Sequence, residues 1–495
     1  MKRAELNVLM VSSEAAPWAK SGGLADVVGA LPAALSDLGH HVTTVLPRYR
    51  GTEPVAGEVR SRRIRLGAID QDVRLHIGHV SRRHRVVMVD APVLYNREGY
   101  YGEGGQDYAD NAVRFATLAA AALDQAVQAP RDRPFDVVHA HDWQAGLVPA
   151  LLRSESPFAR PLEQVGVVFT IHNLAYQGLF PRDIVPLLGL PWSTFTIDRA
   201  EFWGEFSFLK AGITFSDFIT TVSPTYAQET QRPEAGVGMD GVLALRASRY
   251  LGIMNGIDME AWNPATDAAL PAHYTAGDLT GKAVCKRVLL GQLGLAVGDD
   301  ALARPVVAFL SRLVSQKGLD LIAAVASRLV TLDATWVFVG TGEARYEAML
   351  RDLAARHPTR VAAHIGYNED LAHLVQGGAD MVLMPSTFEP CGLTQLYGLR
   401  YGTVPIVTAV GGLDDSVQPY TARARRANGF KIQKPRADLL VRTLRQAIRL
   451  YHDKGAWLPL MRRGMAADLS WQTAAKEYVK VYRWARGLAA IRGGL

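Results

Sequence analysis

Two cations stand five residues apart in Arg312-Leu-Val-Ser-Gln-Lys-Gly318. On one loop such a pair can bracket a diphosphate, the arginine as a planar fork and the lysine as a point charge. The competing reading is two solvated side chains. Lys20-Ser-Gly-Gly-Leu-Ala-Asp26 offers a further cation, then glycines that let backbone approach a phosphate, then the start of a helical pattern. Free amides and the positive dipole end of a helix favour anions there. The stretch matches neither the dinucleotide fingerprint nor the P-loop, and a structural turn is the alternative. In Glu389-Pro-Cys-Gly-Leu-Thr394 a carboxylate precedes the amides of Gly392, Leu393 and Thr394, with a helix expected to begin near Gly392. A carboxylate beside an anion site is unfavourable unless it holds cations or hydroxyls, and sugar hydroxyls would suit it. Cys391 reads as the filler of a small buried space rather than a nucleophile.

His139-Ala-His-Asp-Trp143 and Thr170-Ile-His-Asn173 each close an apolar run. His139 and His141 share a face at strand spacing, as a metal pair would, but no third ligand of suitable type and spacing follows and no metal is expected. Asp142, Trp143 and His172 suit hydroxyl and ring contacts to a sugar. Phe338-Val-Gly-Thr-Gly342 has a G-x-G, yet Arg345 occupies the third glycine position, which leaves a tight turn as the equal alternative. Asp70-Gln-Asp72 has the form of a metal-binding D-x-D but lies in a basic, alternating region (Arg60-Ser-Arg-Arg-Ile-Arg65 and Arg82-Arg-His-Arg85) and is expected to be a turn. That region reads as a polar-faced hairpin at a solvated edge.

The elements that must hold these residues are legible from periodicity. Runs rich in Val, Ile and Leu predict strands at Leu6–Ser12, Val42–Leu46, Val86–Asp90, Val137–His141, Val165–His172 and Phe218–Val222. A second series lies at Val306–Leu310, Trp336–Gly340, Val361–Ile365, Met381–Met384 and Val404–Val407. Continuous apolar strands alternating with helical patterns argue for parallel sheets covered on both faces. Leu24, Val27, Val28, Leu31, Leu35 and Leu38 mark one face of the first helix, Gly39 stops it, and Pro32 is expected to kink it. The strand series pauses between Asn255 and Arg304, the natural place for a domain break. Two doubly wound domains facing each other across a cleft are inferred, with chemistry at the carboxyl ends of strands.

The chain has 495 residues, 48% of them hydrophobic and 21% charged, which excludes a disordered or fibrous protein. A formal net charge of +6 over this length is too weak to argue a nucleic-acid partner, and the basic runs lack interleaved aromatics. Two cysteines, Cys285 and Cys391, cannot make a disulfide framework, so a reducing compartment is expected. No apolar run approaches the roughly 18 residues of a spanning helix. Met1-Lys-Arg resembles the charged start of a signal peptide, but the six apolar-rich residues Leu6–Val11 suit a buried first strand better.

Taken in order, these segments resemble the bacterial glycogen synthase and plant starch synthase family. Further stretches that carry the resemblance are Tyr108–Phe115, His172–Gly178, Ser207–Gly212, Asn255–Asp258 and Ser386–Thr403. The resemblance implies an α/β GT-B fold, two doubly wound Rossmann-like domains facing across a deep cleft. The domains are expected at residues 1–254 (acceptor side) and 255–472 (nucleotide-sugar side), with a helix over 473–495 crossing back to the first. It implies a cytoplasmic enzyme that transfers glucose from ADP-glucose to the non-reducing end of an α-1,4-glucan, glycogen, with retention, using no metal and no organic cofactor, and with no membrane or nucleic-acid partner. Lys20 then resembles the family's lysine at the diphosphate, helped by Gly22 and Gly23. Arg312 and Lys317 resemble the pair that stabilises the leaving phosphate, and Glu389 the carboxylate on the donor sugar, with Gly392, Leu393 and Thr394 facing phosphate. His172 resembles the active-site histidine near the glucosyl C6 hydroxyl. Glu14, Asp26, Tyr101, Asp142, Trp143 and Asn255 resemble residues lining sugar pockets, and Tyr367 a tyrosine near the adenine. Rival readings are a UDP-glucose donor or another acceptor on the same fold, a phosphorylase carrying pyridoxal phosphate, and an inactive glucan-binding protein.

Overall fold

Apolar runs of five or six residues are buried only where both faces are covered, and the computed structural model, which describes residues 5–493, places them so. The chain divides into two units. The first extends to Gly256 and takes the chain back at Trp471; the second is Ile257–Ser470.

The sheet of the first unit runs Tyr250–Gly252, Phe218–Thr221, Gly166–Ile171, Val137–His141, Asn7–Val11, His41–Pro47, His84–Asp90, Ile69–His79 and Gly57–Leu66. All neighbours are parallel except the last two pairs, which form the antiparallel edge. Alternation along Asn7–Val11 decides what each face meets. Leu9 and Val11 join the core under the helix Asn111–Val127, while Val8 and Met10 join the core under Gly23–Asp37 and Trp471–Gly493. From Asn7–Val11 the chain winds outward through His41–Pro47 and His84–Asp90, then returns to the other side at Val137–His141. The strand order therefore reverses between Asn7–Val11 and Val137–His141, the point at whose carboxyl ends open sheets of this kind bind ligands.

The second unit holds a six-stranded, all-parallel sheet in the order Val361–Ile365, Thr335–Gly340, Val306–Leu310, Met381–Met384, Val404–Thr408 and Phe430–Ile432. Val307, Phe309, Trp336 and Phe338 face one core; Val306, Ala308, Val337 and Val339 face the other. Here the order reverses between Val306–Leu310 and Met381–Met384, which sit side by side with Val307 opposite Met381.

The helix Gly23–Asp37 continues through Pro32, with Leu24, Val27, Val28, Leu31 and Leu35 buried. Two local expectations change. Asp70-Gln-Asp72 is not a turn but part of the strand Ile69–His79, where Asp70 accepts two bonds from Arg63 at 2.7 and 2.8 Å across the hairpin. The helix after Glu389 begins at Thr394 rather than near Gly392, because Gly392 takes a positive φ of 73°. Among the described residues no helix is long and apolar enough to cross a membrane.

Candidate active site

The reversal point of the first unit gathers most of its marked residues. The loop leaving Asn7–Val11 carries Glu14, which is 3% exposed. Its carboxylate accepts from the Ser21 amide and hydroxyl, both at 2.6 Å, and from the Tyr101 hydroxyl. Burial, with Tyr49 and Glu14 adding to it, holds the Tyr101 phenol protonated well above its usual range. Ser13 Oγ lies 2.9 Å from the same hydroxyl. Lys20 is exposed and pairs with Asp26 at 2.7 Å. A Cβ at Gly22 or Gly23 would meet nothing within 4 Å, and neither has a positive φ. Nothing among the described residues requires glycine there, so the bareness leaves space beside the helix start.

The neighbouring strand exit supplies Asp142 in a left-handed conformation, φ 54°. That turn brings its Oδ1 within 2.6 Å of the His172 amide, which donates to it. Burial pushes its carboxyl up to about 7, against two backbone amides that pull it down. His172 is 8% exposed, and its Nε2 lies 3.0 Å from His141 Nδ1. Burial drives its own pKa down to about 3, so the ring is neutral. Trp143 is 7% exposed, edge-on to Phe115 at 5.0 Å and packed against Phe180, so the structure commits most of this ring to the core and leaves little for a sugar. Asn255, at the end of the unit, is buried, and its Oδ1 has no hydrogen-bond partner among the described residues.

In the second unit the reversal point brings two loops together. Gly318 has φ 80°, and a Cβ there would fall 2.1 Å from the Pro385 carbonyl oxygen. Only glycine lets the loop after Val306–Leu310 touch the loop after Met381–Met384 so closely. The contact places Lys317 Nζ 2.5 Å from Glu389 Oε2, which also accepts from Ser386 Oγ at 3.1 Å. Arg312 is exposed and makes no ion pair among the described residues. The amides of Gly392 and Leu393 donate to no protein atom among those residues, and Thr394 begins the helix. Tyr367 is 77% exposed, directly after the turn that ends Val361–Ile365. Gly340 and Gly342 pack against the backbone of Ser311 and Leu313, which accounts for the G-x-G as a turn that seats the Arg312 loop.

Sequence reasoning passed over three groups. Gly411 and Gly412 follow Val404–Thr408 and lie against the carbonyls of Glu389 and Cys391, where a Cβ would come within 2.0 and 2.2 Å. The adjacent glycines after a strand were a visible signal. Ser21, beside Lys20, proves to be the holder of Glu14. The spacing of His141 suggests only a metal ligand, whereas its ring contacts His172. Among the described residues no group of three or more His, Cys, Asp or Glu is arranged to hold a metal ion.

Residues 7–245 match the starch synthase catalytic domain family, and residues 300–456 match the glycosyl transferases group 1 family. The chain is 47% identical to a glycogen synthase of Anaeromyxobacter dehalogenans, over 97% of this chain and 99% of that one. It is 47% identical to a glycogen synthase of Myxococcus xanthus over 96% and 99%. Among solved structures it is similar to the catalytic domain of starch synthase IV from Arabidopsis thaliana bound to ADP and acarbose. That match has a TM-score of 0.87 at 32% identity and covers 98% of this chain and 100% of that one. The two doubly wound units are thus of the GT-B class. Similarity this high over almost the whole length of both chains means that the chain belongs to the glycogen synthase family.

Proposed function

We infer that this protein elongates glycogen by moving the glucosyl group of ADP-glucose to the non-reducing 4-hydroxyl of an α-1,4-glucan, with retention at C1. The observation that carries the reading is the Lys317–Glu389 pair at the reversal point of the second unit, on the same loop as an Arg312 that makes no ion pair among the described residues. A cation pair there suits a diphosphate, and a carboxylate held by a cation suits sugar hydroxyls.

In this reading the first unit serves the acceptor and the second the nucleotide sugar. The bond from C1 to the diphosphate oxygen breaks, and negative charge grows on the ADP leaving group. Arg312, Lys317, Lys20 and the amides of Gly392, Leu393 and Thr394 stabilise that charge as preorganised donors. Gly22 and Gly23 give the phosphates room, Tyr367 offers its exposed ring to the adenine, and Asp26 holds Lys20. Glu389, His172, Asp142 and Asn255 orient the donor glucose, while Glu14 and Tyr101 border the sugar pocket. The acceptor 4-oxygen bonds to C1 on the face the diphosphate leaves, and its proton passes to the departing phosphate oxygen. Two observations support this front-face route over a carboxylate nucleophile. Glu14 already accepts three hydrogen bonds, and Asp142 is raised to about 7 and accepts from the His172 amide. Both carboxylates are thus already engaged by donors of the chain itself.

The reading assigns charge stabilisation to the chain's own cations, without a metal or organic cofactor. It places the enzyme in the cytoplasm, which suits two buried cysteines that form no disulfide. The test is glucosyl transfer to glycogen from ADP-glucose and UDP-glucose in parallel, with EDTA present. Strong transfer from ADP-glucose, unaffected by the chelator, is expected. Transfer from UDP-glucose alone overturns the donor, and loss of activity in EDTA overturns the metal-free chemistry.

A further inference from the structure

Three histidines lie in contact at the exits of Val137–His141 and Gly166–Ile171. The rings of His139 and His141 are 4.0 Å apart, and those of His141 and His172 are 5.3 Å apart. Burial keeps all three neutral. His139 uses both nitrogens, Nδ1 at 2.9 Å from the Tyr482 hydroxyl and Nε2 at 2.6 Å from Thr170 Oγ1. His141 differs. Its Nδ1 lies 3.0 Å from His172 Nε2, but its own Nε2 is sealed from solvent and has no hydrogen-bond partner among the described residues.

A neutral imidazole carries one N–H, and which nitrogen holds it follows from the partners. On Nε2 of His141 the proton would be a buried donor with nothing to bond, the rarer kind of orphan. On Nδ1 it reaches His172, and only a bare lone pair goes unmatched. His172 must then accept at Nε2 and keep its own proton on Nδ1, an atom with no protein partner among the described residues. Resting on the glucosyl-transfer reading above, we propose that His141 is a positioning residue that donates from Nδ1 to His172 Nε2. His172 is thereby held in the Nδ1–H tautomer and meets the donor sugar as a hydrogen-bond donor rather than a base. The backbone of His172 is fixed independently, by its amide's bond to Asp142, so His141 governs the ring and Asp142 the main chain.

Long-range proton–nitrogen correlation spectra of the full chain with 15N-labelled histidine read the tautomer directly, with the His172 signals identified by their loss in His172→Asn. The expected result is a protonated Nδ1 and a bare Nε2 on His172 in the wild-type chain. A protonated Nε2 there overturns the proposal. Kinetics supply a second readout. His141→Asn keeps an N–H where Nδ1 stood and is expected to hold kcat within about threefold, whereas His141→Leu is expected to lower kcat roughly tenfold to a hundredfold, with KM for ADP-glucose little changed. An undiminished kcat in His141→Leu, or equal losses in both variants, also overturns it. Should His141→Leu fail to fold, the wild-type spectrum and the asparagine variant decide. A wild-type chain that transfers no glucose from ADP-glucose defeats the functional reading, and the tautomer in the spectrum still decides this one.

Discussion

Arg312 and Lys317 differ in what the fold has done with them: the lysine is engaged by Glu389, while the arginine is exposed and makes no ion pair among the described residues. Replacing either by alanine is expected to lower kcat by about a hundredfold or more, as loss of one transition-state donor does. Steady-state assays with ADP-glucose check this, and near-normal kcat in both variants would remove them from the chemistry. Asp142 gives a prediction of opposite sign for stability. Its folded-state pKa of about 7 lies above the ordinary 3.8, so the folded chain holds this proton more tightly than the unfolded one. The resulting penalty is absent below about pH 4, grows as the pH climbs, and is complete above about pH 7. It amounts to at most about 4 kcal/mol, reduced by the water that still reaches this partly exposed group. Asp142→Asn keeps the acceptor for the His172 amide and tolerates a positive φ. It is expected to raise Tm by several degrees at pH 8, with little change near pH 4 and with loss of transfer activity; thermal scans across that range test it. The motif residues themselves were legible because their types and loop positions are local. Their commitments were not: Trp143 reads as a sugar platform until Phe115 and Phe180 are seen around it.

The parallel strands were legible almost residue for residue, since a buried strand must be a continuous apolar run. Val306–Leu310, Val361–Ile365 and Met381–Met384 coincide with their predicted spans. Short, less apolar strands such as Phe430–Ile432 and Tyr250–Gly252 carry too few residues for periodicity to register. Loops decide the chemistry at this scale. Gly318 is decisive, because its φ and its approach to Pro385 bring the Lys317 loop onto the Glu389 loop. Gly318→Ala is expected to cost more than about 1–2 kcal/mol, the left-handed penalty alone, and to lower kcat at least tenfold by separating Lys317 from Glu389. A variant with unchanged kcat and Tm would show that the two loops tolerate separation.

At the scale of the whole molecule, the last helix, Trp471–Gly493, packs on the first unit although more than two hundred residues separate them in the chain. Its Tyr482 hydroxyl meets His139, and Tyr478, Tyr482 and Ala485 complete the core over Gly23–Asp37 and the central strands. Tyr482→Phe leaves a buried imidazole nitrogen without its partner and is expected to destabilise the first unit by about 1–3 kcal/mol. A Tm lowered by several degrees in calorimetry would show it; unchanged unfolding would mean that the hydroxyl contributes nothing. Because strand and helix periodicity and glycine-marked loops are local properties, the sequence by itself determined the two doubly wound sheets, the order of the loops and the residue types at strand exits. Only the tertiary structure decided which of those side chains are already taken. Glu389 is joined to Lys317 across 72 residues, Glu14 to Tyr101 across 87, and His141 to His172 across 31. Such pairings depend on which strands become neighbours, and the long-range packing that selects neighbours leaves no periodic trace along the chain.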